Sequence, residues 1–275
     1  MAGSLVQPDH KQQARQPVTA TQCMPPLILH IPHSSPLIPA EERAQLLPDD
    51  TALAREVLAM TDAWTDGLVA DLDLPARRLV FPVSRLVVDV ERFPDDAEEP
   101  MARKGMGAVY TRLSTGERLR RDDPAERERL MERWYHPHHA KLTDLVQRAL
   151  DGNGRCLIID VHSFPSRPLP YESEQTPTRP EICIGTDPHH PPFGTDAVAS
   201  AIGEKAGFVT ALNRPFAGSI VPTSYWQSDR RVRSMMVEVR RDLYMDEETG
   251  EPLPAFGNIA ARICRLLEAL VTAAA

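Results

Sequence analysis

The chain has 275 residues, of which 42% are hydrophobic and 25% charged, with 26 prolines against 14 glycines and a formal net charge of -8. That length suits one large α/β domain, and the acidic balance excludes broad binding to a phosphate backbone, which attracts Lys/Arg surfaces. No apolar stretch approaches the roughly 20 residues that cross a bilayer as a helix, so a cytoplasmic protein with neither nucleic-acid nor membrane partners is expected.

Residues 1–24 are polar and Gln-rich and lack the basic start and apolar centre of a secretory signal, which predicts a flexible tail ahead of one domain over 25–275. The run LILHI at 27–31, ended by Pro32, reads as a buried strand that opens into a loop with His33 at its exit. Apolar residues at helical spacing (Leu53, Val57, Met60, Trp64, Leu68, Leu72) predict a helix over 50–72, on which Asp62 and Asp66 share a face. RLVVDV at 85–90 predicts a second strand, and the Pro-, Gly- and charge-rich segment after it predicts a long functional loop. Asp123 and Pro124 open a helix over 124–150 that Pro137 interrupts, with His136, His138 and His139 flanking the kink and one of them facing a pocket.

CLIIDV at 156–161 is the clearest buried strand and leads into His162 and Ser163. A strand EICIG, a helix over 195–206, a strand over 207–212, a buried strand over 235–239 carrying Glu238 and an amphipathic helix over 256–273 complete the chain. This alternation predicts a single-domain α/β three-layer sandwich with a mixed, largely parallel central sheet, whose site lies beyond the carboxyl ends of its strands. Four scattered cysteines (Cys23, Cys156, Cys183, Cys264) form no CxxC pair and read as reduced thiols.

Two strand-exit histidines, His33 and His162, suit a divalent metal, which at a catalytic zinc centre takes three protein ligands. Asp62 or Asp66 is the carboxylate candidate for the third, since no HExxH pair is present. Glu238, between MMV and Val239, is costly to bury without a cation or strong donors beside it, and so is a candidate general base or one half of an internal ion pair. Arg85 and Arg92 bracket RLVVDVER and either grip a substrate carboxylate or pair with Asp89 or Glu91. His189 and His190 read as a surface loop, and the runs RLRR and RRVR as solvated faces. A serine hydrolase is disfavoured because no G-x-S-x-G elbow occurs.

Taken in order, HIPHSS, TDAWTD, SRLVVDVERFPDD, GMGAVYT, YHPHH, IDVHSFPS, PEICIGTD, LNRPFAGSIV and MMVEVRRDLYMDE, spanning 27–247, resemble the N-formylglutamate amidohydrolase family. The resemblance implies a fold akin to the zinc carboxypeptidases and other phosphorylase/hydrolase-like proteins, with one divalent metal, zinc, at the sheet edge. It implies His33 and His162 as metal ligands and Glu238 as the catalytic glutamate. Pro36 stands where the carboxypeptidase pattern H-x-x-E has its glutamate, so Asp62 is assigned as the carboxylate ligand, with Asp66 as fallback. Arg85, Asp89 and Arg92 resemble the family's substrate-recognition segment, and His139 and Asn213 match positions with similar residues, His139 as a catalytic aid at the oxyanion and Asn213 as a substrate contact. The implied substrate is a small anionic N-acyl amino acid, N-formyl-L-glutamate, hydrolysed to formate and L-glutamate in histidine degradation. Another N-acyl amino acid, a short peptide, or a non-catalytic relative that binds an acidic metabolite are the alternatives, the last prompted by Pro36 and by Ser219 in FAGSIV. The sequence does not fix an oligomeric state.

Overall fold

The computed structural model describes residues 24–193 and 197–275; residues 1–23 of the expected tail lie outside the described residues. Six strands form one sheet: β1 (Leu27–Ile31), β2 (Ala76–Val80), β3 (Cys156–Phe164), β4 (Ile182–Thr186), β5 (Thr210–Leu212) and β6 (Val232–Arg240), in spatial order β2-β1-β3-β6-β4-β5. Strands β2, β1, β3 and β6 run parallel; β4 lies antiparallel to β6, with β5 parallel to β4. The helices are α1 (Ala40–Arg43), α2 (Asp50–Met60), α3 (Thr65–Leu68), α4 (Pro124–Leu130), α5 (His136–Asn153), α6 (Ala197–Lys205) and α7 (Phe256–Ala273).

Side chains alternate across the pleat, so each long strand feeds two different layers. Leu157, Ile159 and Val161 of β3 and Met235, Val237 and Val239 of β6 point to one face, where they pack with Ile263, Leu266, Leu267 and Leu270 of α7. On the other face Cys156 and Ile158 pack under Leu142, Val146 and Leu150 of α5. The expected three-layer, mixed sandwich is therefore what the chain forms.

Three local expectations differ. Residues 85–90 are not a strand: the second strand of the sheet is β2, and the apolar run is instead a buried turn in which Val87, Val88 and Val90 pack against Phe81, Leu130 and Tyr135. Its backbone bonds are taken elsewhere, with Ser84 N donating to Leu37 O, Asp89 N to Ala108 O, and the Arg120 guanidinium to the carbonyls of Leu86 and Val87. Arg120, read from sequence as part of a solvated run, is therefore buried. A short apolar run reports burial and does not by itself choose strand over loop. The predicted helix over 50–72 breaks at 61–64, where Trp64 adopts a left-handed φ of +67°, so Asp62 lies in the break and not on a helix face. The third is the segment before Pro137, which is a π-helical turn, Met131–Tyr135, with the proline accommodated in the first turn of α5. Among the described residues no helix is long and apolar enough to cross a membrane.

Candidate active site

Toward the carboxyl ends of β1, β3 and β6 the face under α5 changes from apolar to ionisable. Ile28 gives way to His30, Ile158 to Asp160 and His162, and Met236 to Glu238; the register pairs His30 with Asp160 and His162 with Glu238. His33 follows two residues beyond β1. Its carbonyl accepts from Asp62 N at 2.9 Å, which ties the break between α2 and α3 to the strand exit and brings the Asp62 carboxylate alongside.

Three donor atoms converge there. His33 Nδ1 and His162 Nδ1 are 3.3 Å apart, and Asp62 Oδ2 lies 3.0 Å from His162 Nδ1 and 3.6 Å from His33 Nδ1. Two ligands of a tetrahedral site with bonds of about 2.0–2.1 Å stand roughly 3.3 Å apart, so the spacing fits. The chemistry fits as well. His33 Nε2 donates to Asp89 Oδ1 at 2.8 Å, and His162 Nε2 lies 3.0 Å from Asp160 Oδ1, which puts the ring protons on the outer nitrogens and leaves both Nδ1 lone pairs facing inward with a carboxylate oxygen. Without a cation such a cluster is relieved only by a proton: burial opposes charge on His162, but Asp160 and Asp62 raise its pKa well above the ordinary value. All three side chains are buried.

Arg241 fixes the third donor. Its Nη2 donates to Asp62 Oδ1 at 2.9 Å, Nη1 to Ala59 O at 2.6 Å and Nε to Ser163 Oγ at 3.1 Å. Asp62 is thereby held well below the usual carboxylate range although burial alone would raise it, through His162, His33 and Arg241.

Glu238 is 7% exposed, and its Oε2 has no hydrogen-bond partner among the described residues. Burial pushes its carboxyl up to about 8, against the pull of the His162 charge. Its neighbour Arg240 does not supply the internal ion pair that the sequence left open, because Arg240 binds Asp242 and the carbonyl of Arg179.

These groups floor a cleft of about 690 Å³. Arg85, Arg92 and His139 line it, and Asn213 does not. Asp89, expected to face substrate, is fully buried behind the wall, accepting from His33, from Arg85 (2.7 Å), from Tyr110 Oη (2.5 Å) and from Glu91 N (2.9 Å). The two readings of Arg85 thus coincide: it pairs with Asp89 and also presents itself to the cleft. Burial disfavours its charge, and the Asp89 carboxylate more than offsets this, holding Arg85 cationic. Arg92 reaches Asp89 more loosely, its Nε lying 3.6 Å from Oδ2 and making no hydrogen bond among the described residues. His139 donates Nε2–H to the Val90 carbonyl at 2.9 Å and packs on Tyr135; burial lowers its pKa to about 4, so the ring is neutral. The Asn213 amide is spent on Thr186 N (2.8 Å) and Thr186 Oγ1 (3.0 Å). Asp66 is exposed and stands apart from the three donors, which removes it as fallback.

Sequence reasoning did not single out Arg241, Asp160 or His30, and it named His138 only as one of three histidines beside Pro137. Asp160 had a signal, since period two in CLIIDVHSF puts it on the face of His162; Arg241, beyond the end of β6, had none. His190, read as a surface residue, is fully buried, with Nδ1 on Val232 O and Nε2 accepting from Gln227 N.

Residues 25–245 match the family described as N-formylglutamate amidohydrolase. The chain belongs to that family, and it is a hydrolase of that kind. It is 26% identical over 214 residues to a Pseudomonas putida protein named N-formylglutamate deformylase, covering 69% of this chain and 79% of that one. The crystal structure of N-formylglutamate amidohydrolase from Ralstonia eutropha JMP134 superposes with a TM-score of 0.75 at 22% identity, over 90% of this chain and 93% of that one. A gene product of Agrobacterium tumefaciens superposes with a TM-score of 0.63 at 20% identity, over 93% and 91%. At these identities the structural likenesses speak for the fold.

Proposed function

We propose that this chain is a metal-dependent amidohydrolase that cleaves the amide bond of a small anionic N-acyl amino acid, in the first place N-formyl-L-glutamate to formate and L-glutamate. The observation that carries the reading is the pairing, across β3 and β6, of a three-donor cluster with a buried carboxyl whose pKa is near 8. The deformylase name of the Pseudomonas relative supports the substrate.

His33, Asp62 and His162 would hold one divalent cation, zinc by the nitrogen and oxygen character of the set, which when bound polarises the amide carbonyl and makes water a stronger acid. Glu238 takes the proton from the water oxygen that attacks the formyl carbon and delivers it to the nitrogen as the C–N bond breaks, a role suited to a carboxyl that titrates near neutrality. Arg85 and Arg92 bind the substrate carboxylates through their guanidinium planes, and Asp89 keeps Arg85 in place from behind. These arginines, and not the neutral His139, supply positive charge on that wall; His139 shapes it. Asn213 contributes by anchoring Thr186 beside Asp187 on the rim.

A second reading, a longer N-acyl amino acid, is favoured by the cleft itself. Its volume of about 690 Å³ lies in the range that encloses drug-sized ligands, and Phe93 and Trp226, 5.5 Å apart, give it an apolar side. The test is hydrolysis of a panel of N-formyl and longer N-acyl amino acids, with and without chelator and zinc restoration. Chelator-sensitive release of formate from N-formylglutamate is the expected result. Preference for a longer acyl group would keep the site and change the substrate, and turnover indifferent to chelation would overturn the metal-dependent reading.

A further inference from the structure

Beside His162 the polar face of the sheet continues into a second cluster of ionisable side chains. Asp160, fully buried, lies with Oδ1 3.0 Å from His162 Nε2 and 2.8 Å from His30 Nδ1. His30, also fully buried, has Glu91 Oε1 3.1 Å from the same Nδ1, and its Nε2 is 2.7 Å from His138 Nε2. His138 is 5% exposed and packs edge-on against Phe81 at 5.0 Å. His30 comes from β1, Asp160 and His162 from β3, Glu91 from the loop after the 85–90 turn, and His138 from α5. Four segments distant in sequence thus meet beside His162, with Glu91 also lining the cleft.

The proton count within the cluster is constrained. Burial lowers the His30 pKa, but the Asp160 and Glu91 carboxylates at its Nδ1 raise it to about 9, so the ring is doubly protonated and donates Nδ1–H to Asp160 and Nε2–H to His138. It then supplies the positive charge that a fully buried carboxylate needs. Asp160 is left as a pure acceptor facing His162, which keeps the His162 proton on Nε2 and the lone pair of Nδ1 turned toward His33 and Asp62. The contact between Asp160 and His162 is off the hydrogen-bond line and acts as an electrostatic one.

We propose that His30 and Asp160, backed by His138 and Glu91, form a positioning relay that fixes the tautomer and donor strength of His162 and thereby sets the metal affinity of the site. The relay acts through Asp160, so His30 affects the metal without touching it. This inference rests on the metal-binding reading of His33, Asp62 and His162. A separate role as a second metal site is disfavoured by the use of both His30 nitrogens within the cluster and by the position of Asp160 between two rings.

The test uses the full chain loaded with zinc or, for spectroscopy, with cobalt(II). Metal dissociation constants are measured by chelator competition for wild type, His30→Gln, Asp160→Asn and the double variant, alongside the visible d–d spectra of the cobalt forms. Each single variant is expected to weaken metal binding about 10- to 100-fold, as loss of an outer partner of a ligating histidine does. The cobalt bands should shift, and the double variant should be no weaker than Asp160→Asn alone. Unchanged affinity and spectra, or strictly multiplicative losses, would overturn the relay, as would a second bound equivalent that disappears in His30→Gln. Should His30→Gln fail to fold, His138→Gln at the outer end must still produce a smaller loss in the same direction, and no loss there overturns the proposal. Wild-type protein that binds no metal would instead sink the underlying reading of the site, a result distinguishable from variants that match the wild type.

Discussion

At the scale of single residues the site depends on buried charges, and each removal has a distinct signature. Glu238 Oε2, like Asp160 Oδ2 and Arg92 Nε, has no hydrogen-bond partner among the described residues. Replacing Glu238 by Gln keeps its volume and removes the proton acceptor. Glu238→Gln should lower kcat by about 100- to 10,000-fold while metal content, measured by atomic absorption, stays at the wild-type level and the thermal midpoint does not fall. Arg241 behaves in the opposite way. Arg241→Met leaves the buried Asp62 carboxylate without its guanidinium, and breaking a buried pair from one side costs about 3–5 kcal/mol. Urea unfolding of the chelated protein should show that loss directly.

Elements place these residues through two devices. The first is the long strand that is apolar at its start and ionisable at its end on the same face, as in Ile158, Asp160, His162 of β3, which anchors the site to the core without a break in the sheet. The second is the interrupted helix: the α2–α3 break aims Asp62, and the π turn before α5 precedes the consecutive His138 and His139, one bonded to His30 and the other lining the cleft. The cleft segment around Gly218 packs closely on Gly185 of β4. A Cβ there would come within 2.4 Å of the Gly218 carbonyl oxygen and 2.6 Å of Met236 Cε, so a backbone segment would have to move. Because Phe216 and Ser219 of that segment line the cleft, Gly185→Ala is expected to raise KM several-fold more than it lowers kcat, a split that steady-state kinetics will read.

For the whole molecule, the cleft lies between the carboxyl end of the sheet and a cap of irregular chain, and ion pairs hold that cap. Glu42 of α1 is bonded to Arg129 of α4 and to Trp134 Nε1 at 3.0 Å. Burial would raise the Glu42 pKa, and Arg129, Trp134 and Arg133 together bring it below the ordinary value. A carboxyl depressed in the folded state stabilises above its unfolded pKa of about 4.3, and that contribution is lost as pH falls through the folded value. Unfolding free energy should therefore decline below about pH 4, and Glu42→Gln should flatten that decline; an unaltered pH dependence in the variant would assign the acid sensitivity to other carboxyls. Chelation acts on the molecule as a whole too. A cation bound by the folded chain alone raises the thermal midpoint by mass action, so removing it should lower the midpoint and zinc should restore it.

The layers were legible in the sequence because periodicity records burial directly: CLIIDV, MMVEV and the 256–273 stripe each came out as the predicted element, and Glu238 was marked by being a carboxylate in an apolar strand. A strand-exit position likewise marked His33, whereas His162, expected at the exit of its strand, lies inside β3 two residues before its end. The turn at 85–90 was misread for the same reason, since hydrophobicity says that a segment is buried and not which backbone groups will pair with it. Partners were not legible at all. Asp62 against Asp66, Asp89 behind the wall and not on it, the enclosure of His190, and the gathering of Arg241, His30, Asp160 and His138 around the donors each depend on contacts between segments 37 to 182 residues apart. The sequence by itself determined which faces must be covered and which residues were chemically expensive to cover. Only the tertiary structure decided which opposite charge meets each of them, because that choice is made by the packing of the sheet and its cap and leaves no local pattern in the chain.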